Sequence, residues 1–109
     1  MAALTLRRAS ITRSTRETEI TLAVDLDGEG RVAVKTGIGF LDHLLSALAF
    51  HSGIDLDLTC RGDLEVDDHH TVEDAALVLG AAVDQALGDR AGIQRFGSAH
   101  APLDEALAL

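Results

Sequence analysis

The chain contains no tryptophan and no tyrosine, and only three phenylalanines in 109 residues. Its core must therefore be built from Leu, Ile, Val and Ala. A single cysteine, Cys60, excludes an intramolecular disulfide framework and points to a reducing, cytoplasmic setting. Cys60 falls in an alternating strand, where core packing outweighs a reactive thiol. Positive charge is also scarce: nine Lys and Arg stand against 18 Asp and Glu, for a formal net charge of −9. That balance argues against a nucleic-acid partner and leaves no basic patch for a membrane surface. No apolar run approaches the ~20 residues of a membrane span, and the N-terminus lacks the apolar region of a signal peptide. The length allows one small domain with a two-layer core and little room for a deep private cavity. An anionic small molecule remains open as a ligand, through a few arginines or a metal.

Hydrophobic patterning supplies the architecture. Residues 1–8 read as a flexible, basic lead-in. Ser10 to Leu26 reads as extended, with Ile20, Leu22, Val24 and Leu26 on one face. Asp27-Gly28-Glu29-Gly30 is a turn signal, and Val32 and Val34 resume the alternation, so a hairpin is expected there. Thr36-Gly37-Ile38-Gly39 breaks the strand. A helix follows over about Phe40–Ser52, with Leu41, Leu44, Leu45 and Leu48 expected inside and Gly53 past its end. Ile54, Leu56, Leu58 and Cys60 alternate with polar residues, as in a half-buried strand. A second helix runs from Asp68 or His69 to Leu87 and stops at Gly88; its apolar stripe is Val72, Ala75, Ala76, Leu79, Val83, Ala86 and Leu87. Residues 89–94 form a connector, and Arg95 onward reads as extended. The economical solution is a two-layer α+β sandwich: a mainly antiparallel four-stranded sheet with both helices on one face. The last residues, Asp104-Glu105-Ala106-Leu107-Ala108-Leu109, stop inside an alternating pattern with no turn. They echo Thr18-Glu19-Ile20-Thr21-Leu22, a weak sign of an internal repeat.

Chemistry concentrates in Asp68-His69-His70-Thr71-Val72-Glu73-Asp74. On a helix, His69 and Glu73 are i,i+4 and His70 and Glu73 are i,i+3, so either pair can converge on one ion. The two histidines diverge by about 100° and cannot easily do so together. Two metals, or one metal and a partner group, would satisfy both. The plain alternative is a solvated helix start with Asp68 as N-cap and incidental histidines. His43, on the first turn of the first helix, reads locally as an ordinary, partly buried histidine, and Asp42 as a carboxylate that could support it. His100 reads as structural or exposed. Arg95 fits either a surface ion pair or a phosphate anchor. Gly37-Ile38-Gly39 lacks the rest of a dinucleotide or P-loop fingerprint.

Five segments then occur in order: Thr36-Gly37-Ile38-Gly39-Phe40-Leu41-Asp42-His43-Leu44-Leu45, His69-His70-Thr71-Val72-Glu73-Asp74, Ala86-Leu87-Gly88-Asp89-Arg90, Gly92-Ile93-Gln94-Arg95-Phe96-Gly97 and Ala101-Pro102-Leu103-Asp104-Glu105-Ala106-Leu107. Together, from about Arg8 onward, the chain resembles the N-terminal half of the imidazoleglycerol-phosphate dehydratases of histidine biosynthesis. The resemblance implies a tandem of two similar half-domains, each a four-stranded sheet with two helices. It divides this chain into a lead-in (1–8), a first half-domain (9–90), and a connector with the first strands of a truncated second half-domain (91–109). It implies manganese as cofactor, with His43, His69, His70 and Glu73 as ligands, and 24 subunits in the full-length family. It also implies a phosphorylated imidazole substrate contacted by Glu17 and Arg95, with Glu17 and Glu73 as the catalytic carboxylates. The reaction would be metal-dependent loss of water from imidazole glycerol phosphate. Gly39 stands where many members carry proline, and Leu44 where many carry methionine. The larger departure is length. The family usually runs to nearly twice this chain, and the second half carries another His-His-x-x-Glu. The chain is therefore expected to be a fragment with little activity alone. The competing expectation is a non-catalytic, self-associating, metal-binding half-domain. A metal-dependent hydrolase using the same histidines would ignore the other segments.

Overall fold

A computed structural model describes residues 5–109 of the chain. Four strands, β1 (Arg8–Ser14), β2 (Thr18–Asp25), β3 (Val32–Lys35) and β4 (Asp55–Gly62), form one sheet in the order β1-β2-β4-β3. Helix α1 (Gly39–Ser52) connects β3 to β4, and α2 (His69–Leu87) follows β4. A separate two-stranded hairpin, β5 (Ala101–Leu103) and β6 (Ala106–Ala108), closes the chain. The first half-domain is thus the α+β two-layer sandwich expected from the patterning.

The sheet's two faces follow from its alternation. Ile20, Leu22, Val24, Leu56, Leu58 and Cys60 are buried on the helix side, against Ala49 of α1 and Val78, Ala82 and Ala86 of α2. Both helices therefore cover one face. The opposite face presents Glu19, Thr21 and Ala23 of β2 and Asp57, Thr59 and Arg61 of β4, all exposed. A depression of about 350 Å³ lies on that face around Ser10, Ala23, Ala33 and Asp57, at the end of the sheet away from the paired histidines.

Strand pairing departs from the expected hairpin at Asp27–Gly30. The true hairpin is β1–β2, antiparallel from Arg8↔Asp25 to Ser14↔Glu19. Strand β4 inserts between β2 and β3, antiparallel to β2 and parallel to β3, so the sheet is mixed. The reason lies in β4. It has eight residues with a clean apolar face and matches all eight of β2, whereas β3 has four. The turn carries the chain across the end of β4, where Asp55 Oδ1 accepts the backbone N–H groups of Glu29 and Arg31, both at 2.9 Å. Asp55 also packs against Gly28, where a Cβ would collide with its carboxyl group. These two backbone donors hold the Asp55 carboxyl below its ordinary pKa.

Both helix stops fall where the glycines place them. Gly53 ends α1 in the left-handed region at φ 75°, and Gly88 ends α2 at φ 59°. The buried faces are rotated from the expected stripes. In α2 the inner residues are Thr71, Ala75, Val78, Ala82 and Ala86, while Val72 and Ala76 are exposed. In α1 only Ala49 is fully buried. Leu41 and Leu45 are half-buried, and Phe40, Leu44 and Leu48 face outward, the last at 54% exposure. With Leu77 on α2, these residues give the helix layer a second, outward apolar surface.

At the N-terminus, residues 1–4 of the expected lead-in lie outside the described residues. Arg7 pairs with Asp27, and Arg8 already belongs to β1. At the other end, the expected strand from Arg95 is replaced by irregular chain to His100 and the short hairpin. Asp104-Glu105 forms its turn, with Asp104 at φ 50°, where the patterning showed none. Every residue from 94 to 109 is exposed.

Candidate active site

The site is built where the sheet's helix side meets the first turn of α2. Strand β4 ends at Gly62, opposite Thr18 of β2. Any Cβ at Gly62 would overlap Thr71 Oγ1, so glycine lets the start of α2 close onto the end of the strand. Asp74 ties the same turn to the sheet: Thr18 Oγ1 donates to its Oδ2 at 2.6 Å, and Arg13 lies 3.0 Å from its Oδ1. The Thr18 hydroxyl, helped by Arg13, holds the Asp74 carboxyl below its ordinary pKa against partial burial. Cys60 lies in the core beneath; burial, followed by the charge of Asp74, pushes its thiol pKa up, consistent with a packing role.

On this anchored turn the histidines stand on different partners. His69 Nε2 lies 2.8 Å from Glu73 Oε2, the i,i+4 pair expected from spacing, with both side chains more than half exposed. His70 Nδ1 lies 2.8 Å from Asp63 Oδ2. The rings are 5.6 Å apart and nearly perpendicular, at 83°. The hydrogen bond to Asp63 is the main cause raising the His70 pKa. The charges of Asp63, Glu17 and Asp74 add to it, and desolvation opposes it. Glu17, in the β1–β2 turn, is thus near enough to act on His70. It lines an open crevice of about 350 Å³ with Arg16, Glu19, Arg61, Asp63 and Glu65.

Asp68 precedes α2 but does not cap it: it has helical φ and ψ, and its side chain makes no cap hydrogen bond. This removes the capping half of the plain alternative. The other expected residues are not gathered. His43 is exposed on α1, and its neighbour Asp42 is occupied elsewhere, accepting from the Thr36 backbone N–H at 2.9 Å and from the Thr36 hydroxyl. Arg95 lies exposed in the irregular connector. Among the described residues, no three His, Cys, Asp or Glu side chains converge as one ligand group. His43, His69, His70 and Glu73 therefore do not form a single shell within one chain. Asp63 carried no signal in the sequence. It is one of several acidic residues before the histidines, and it lies ahead of α2, outside the helical period that relates His69 to Glu73.

The chain as a whole is similar to known proteins. A family model described as imidazoleglycerol-phosphate dehydratase matches residues 36–109. The dehydratase of Chlorobaculum parvum is 60% identical over 105 residues, covering 96% of this chain and 54% of its own. That of Chlorobium luteolum is 59% identical over 102 residues, covering 94% and 51%. The crystal structure of imidazoleglycerol-phosphate dehydratase from Staphylococcus aureus N315 superposes with a TM-score of 0.77 at 30% identity, over 92% of this chain and 53% of that one. The chain thus spans about half the length of these relatives. Fold and matches define it as an α+β unit similar to about half of the known dehydratase chains. It belongs to the imidazoleglycerol-phosphate dehydratase family and corresponds to the family's N-terminal half.

Proposed function

We propose that this chain supplies one half of a metal-dependent site that dehydrates imidazole glycerol phosphate to imidazole acetol phosphate in histidine biosynthesis, in the cytoplasm. The observation that carries the reading is the anchored first turn of α2. It displays His69, His70 and Glu73, and Asp63, the partner of His70, lines a crevice that also holds Glu17. The donor set suits a divalent ion: two imidazoles and a carboxylate, exposed and mounted on a turn packed against the sheet. His69, His70 and Glu73 would hold manganese, for which zinc or nickel can compete. Because three donors do not converge within one chain, a neighbouring copy or half-domain completes the shell, and His43 serves in the same way at that contact.

The bound metal supplies Lewis-acid polarisation and orientation of the substrate's imidazole. The chain's own residues do the rest. Glu17 contacts the substrate from the crevice wall. Glu17 and Glu73 are the carboxylates that serve as acid and base. The balance is loss of a carbon-bound proton and a hydroxyl group as water, leaving an enol that becomes the ketone. Arg95 offers the planar fork that matches a phosphate.

One chain holds only part of this constellation, and loss of one element commonly costs about 10²–10⁴-fold. The 109-residue chain alone is therefore expected to turn over little substrate. Adding the C-terminal half of a relative, expressed separately, should raise turnover by orders of magnitude. Full activity of the chain alone, confirmed by intact mass, would refute the half-site reading. The outward apolar surface of Phe40, Leu44, Leu48 and Leu77 favours a second reading, a non-catalytic half-domain that self-associates and binds metal. Absence of turnover even with the added half, together with metal binding, would select it. Both readings require association. A stable 11.5 kDa species in sedimentation at micromolar concentration would count against them.

A further inference from the structure

We infer that Asp63 is a positioning residue: its carboxylate holds His70 as the Nδ1–H tautomer, so that Nε2 alone is offered to a metal ion. A carboxylate accepts hydrogen bonds and does not donate them, so the ring nitrogen 2.8 Å from Asp63 Oδ2 must carry the hydrogen. The neutral ring's lone pair then sits on Nε2.

Three features distinguish this contact from an incidental surface pair. Asp63 holds its own turn through the backbone, its carbonyl accepting from the N–H groups of Val66 at 2.8 Å and Asp67 at 3.4 Å. The side chain is therefore not needed as a cap. That side chain is only 16% exposed, and its Oδ1 is buried without a hydrogen-bond partner among the described residues. Among the described residues, His70 is the one side chain hydrogen-bonded to this carboxylate and so offsets its desolvation. Finally, His69 is held the opposite way, through Nε2 by Glu73, on a ring turned 83° from that of His70. Two carboxylates from different elements grip two adjacent rings by different nitrogens. The two rings thus present different nitrogens to their carboxylate partners, and Asp63 settles which nitrogen His70 presents. Partners of this kind orient metal-ligating imidazoles generally.

The identity of the ligand rests on the metal-binding reading above, whereas the tautomer does not. Long-range proton–nitrogen NMR on the metal-free chain, about three units above the ordinary histidine pKa of ~6.5, should show His70 as the Nδ1–H form. An Nε2–H form would overturn the inference. In Asp63→Ala, the signal should shift to the Nε2–H form that free imidazole side chains favour, and manganese affinity by calorimetry should fall about 10–100-fold. Asp63→Asn, whose side-chain oxygen still accepts from Nδ1–H, should recover most of the native signature. An unchanged tautomer in Asp63→Ala would overturn the inference, as would unchanged affinity. Should Asp63→Ala not fold, the wild-type and Asp63→Asn spectra decide. Failure of the wild type to bind manganese would refute the metal-binding reading, while the spectra would still decide the role of Asp63.

Discussion

Replacing Gly62 with alanine should loosen the turn that carries the histidines. Gly62 is not in the left-handed region, so alanine meets no backbone penalty there. The cost comes from packing. Its Cβ would overlap Thr71 Oγ1, lie 3.1 Å from Thr71 Cβ and sit in ordinary contact, 3.5 Å, with Thr18 Cγ2. Thr71 is fully buried, so its hydroxyl cannot swing into solvent. Overpacking of this kind costs about 1–3 kcal/mol. At roughly 4–8 °C per kcal/mol for a domain near this size, Gly62→Ala should melt some 4–24 °C lower, a range reduced by the stiffer unfolded chain. Thr71→Ala should cost only about 1 kcal/mol or less. It loses a buried methyl group worth about 0.8 kcal/mol, but also removes a buried hydroxyl that has no partner among the described residues. In the double variant the new Cβ occupies the space the hydroxyl leaves, so about 1–2 kcal/mol should return. Differential scanning fluorimetry of the four proteins closes the cycle. A Gly62→Ala protein as stable as wild type, or additive losses in the double variant, would refute this account of how α2 docks on β4.

Asp74→Ala removes the acceptor for Thr18 and the partner of Arg13, and should cost about 1–2 kcal/mol in urea unfolding. Most of this belongs to the Thr18 bond, because Arg13 is 40% exposed and its ion pair is screened. For Asp55, the folded pKa lies below the unfolded one, so its contribution is present above the unfolded value of ~3.9 and lost as pH falls through the folded value. The stability gap between wild type and Asp55→Ala should therefore narrow as pH drops below ~3.9; a gap constant from neutral pH to pH ~2 would contradict the clamp.

Legibility in the sequence followed period and punctuation. Strand β4 and the stops at Gly53 and Gly88 were readable because alternation and glycine act locally. The pairing of β3 was not. A turn signal at Asp27–Gly30 states that the chain reverses, not which strand lies beside it, and here a later and longer strand won the place next to β2. The helix stripes misled for a related reason. Each helix is apolar on two sides, so periodicity could not distinguish Ala49 and Val78, which meet the sheet, from Leu44 and Val72, which do not. Within the site, His69 with Glu73 was legible as an i,i+4 pair. Asp63 with His70 was not, because the contact spans a turn without periodic spacing, and Glu17 could be named only through family resemblance.

The first turn of α2 is proposed to hold a divalent metal ion. Titration calorimetry of manganese into the 109-residue chain, beside His69→Ala/His70→Ala, tests it directly. The account predicts saturable binding by the wild type, weaker than that of a full-length relative, and its loss in the double variant. Undiminished binding by the double variant, or none by the wild type, would contradict it.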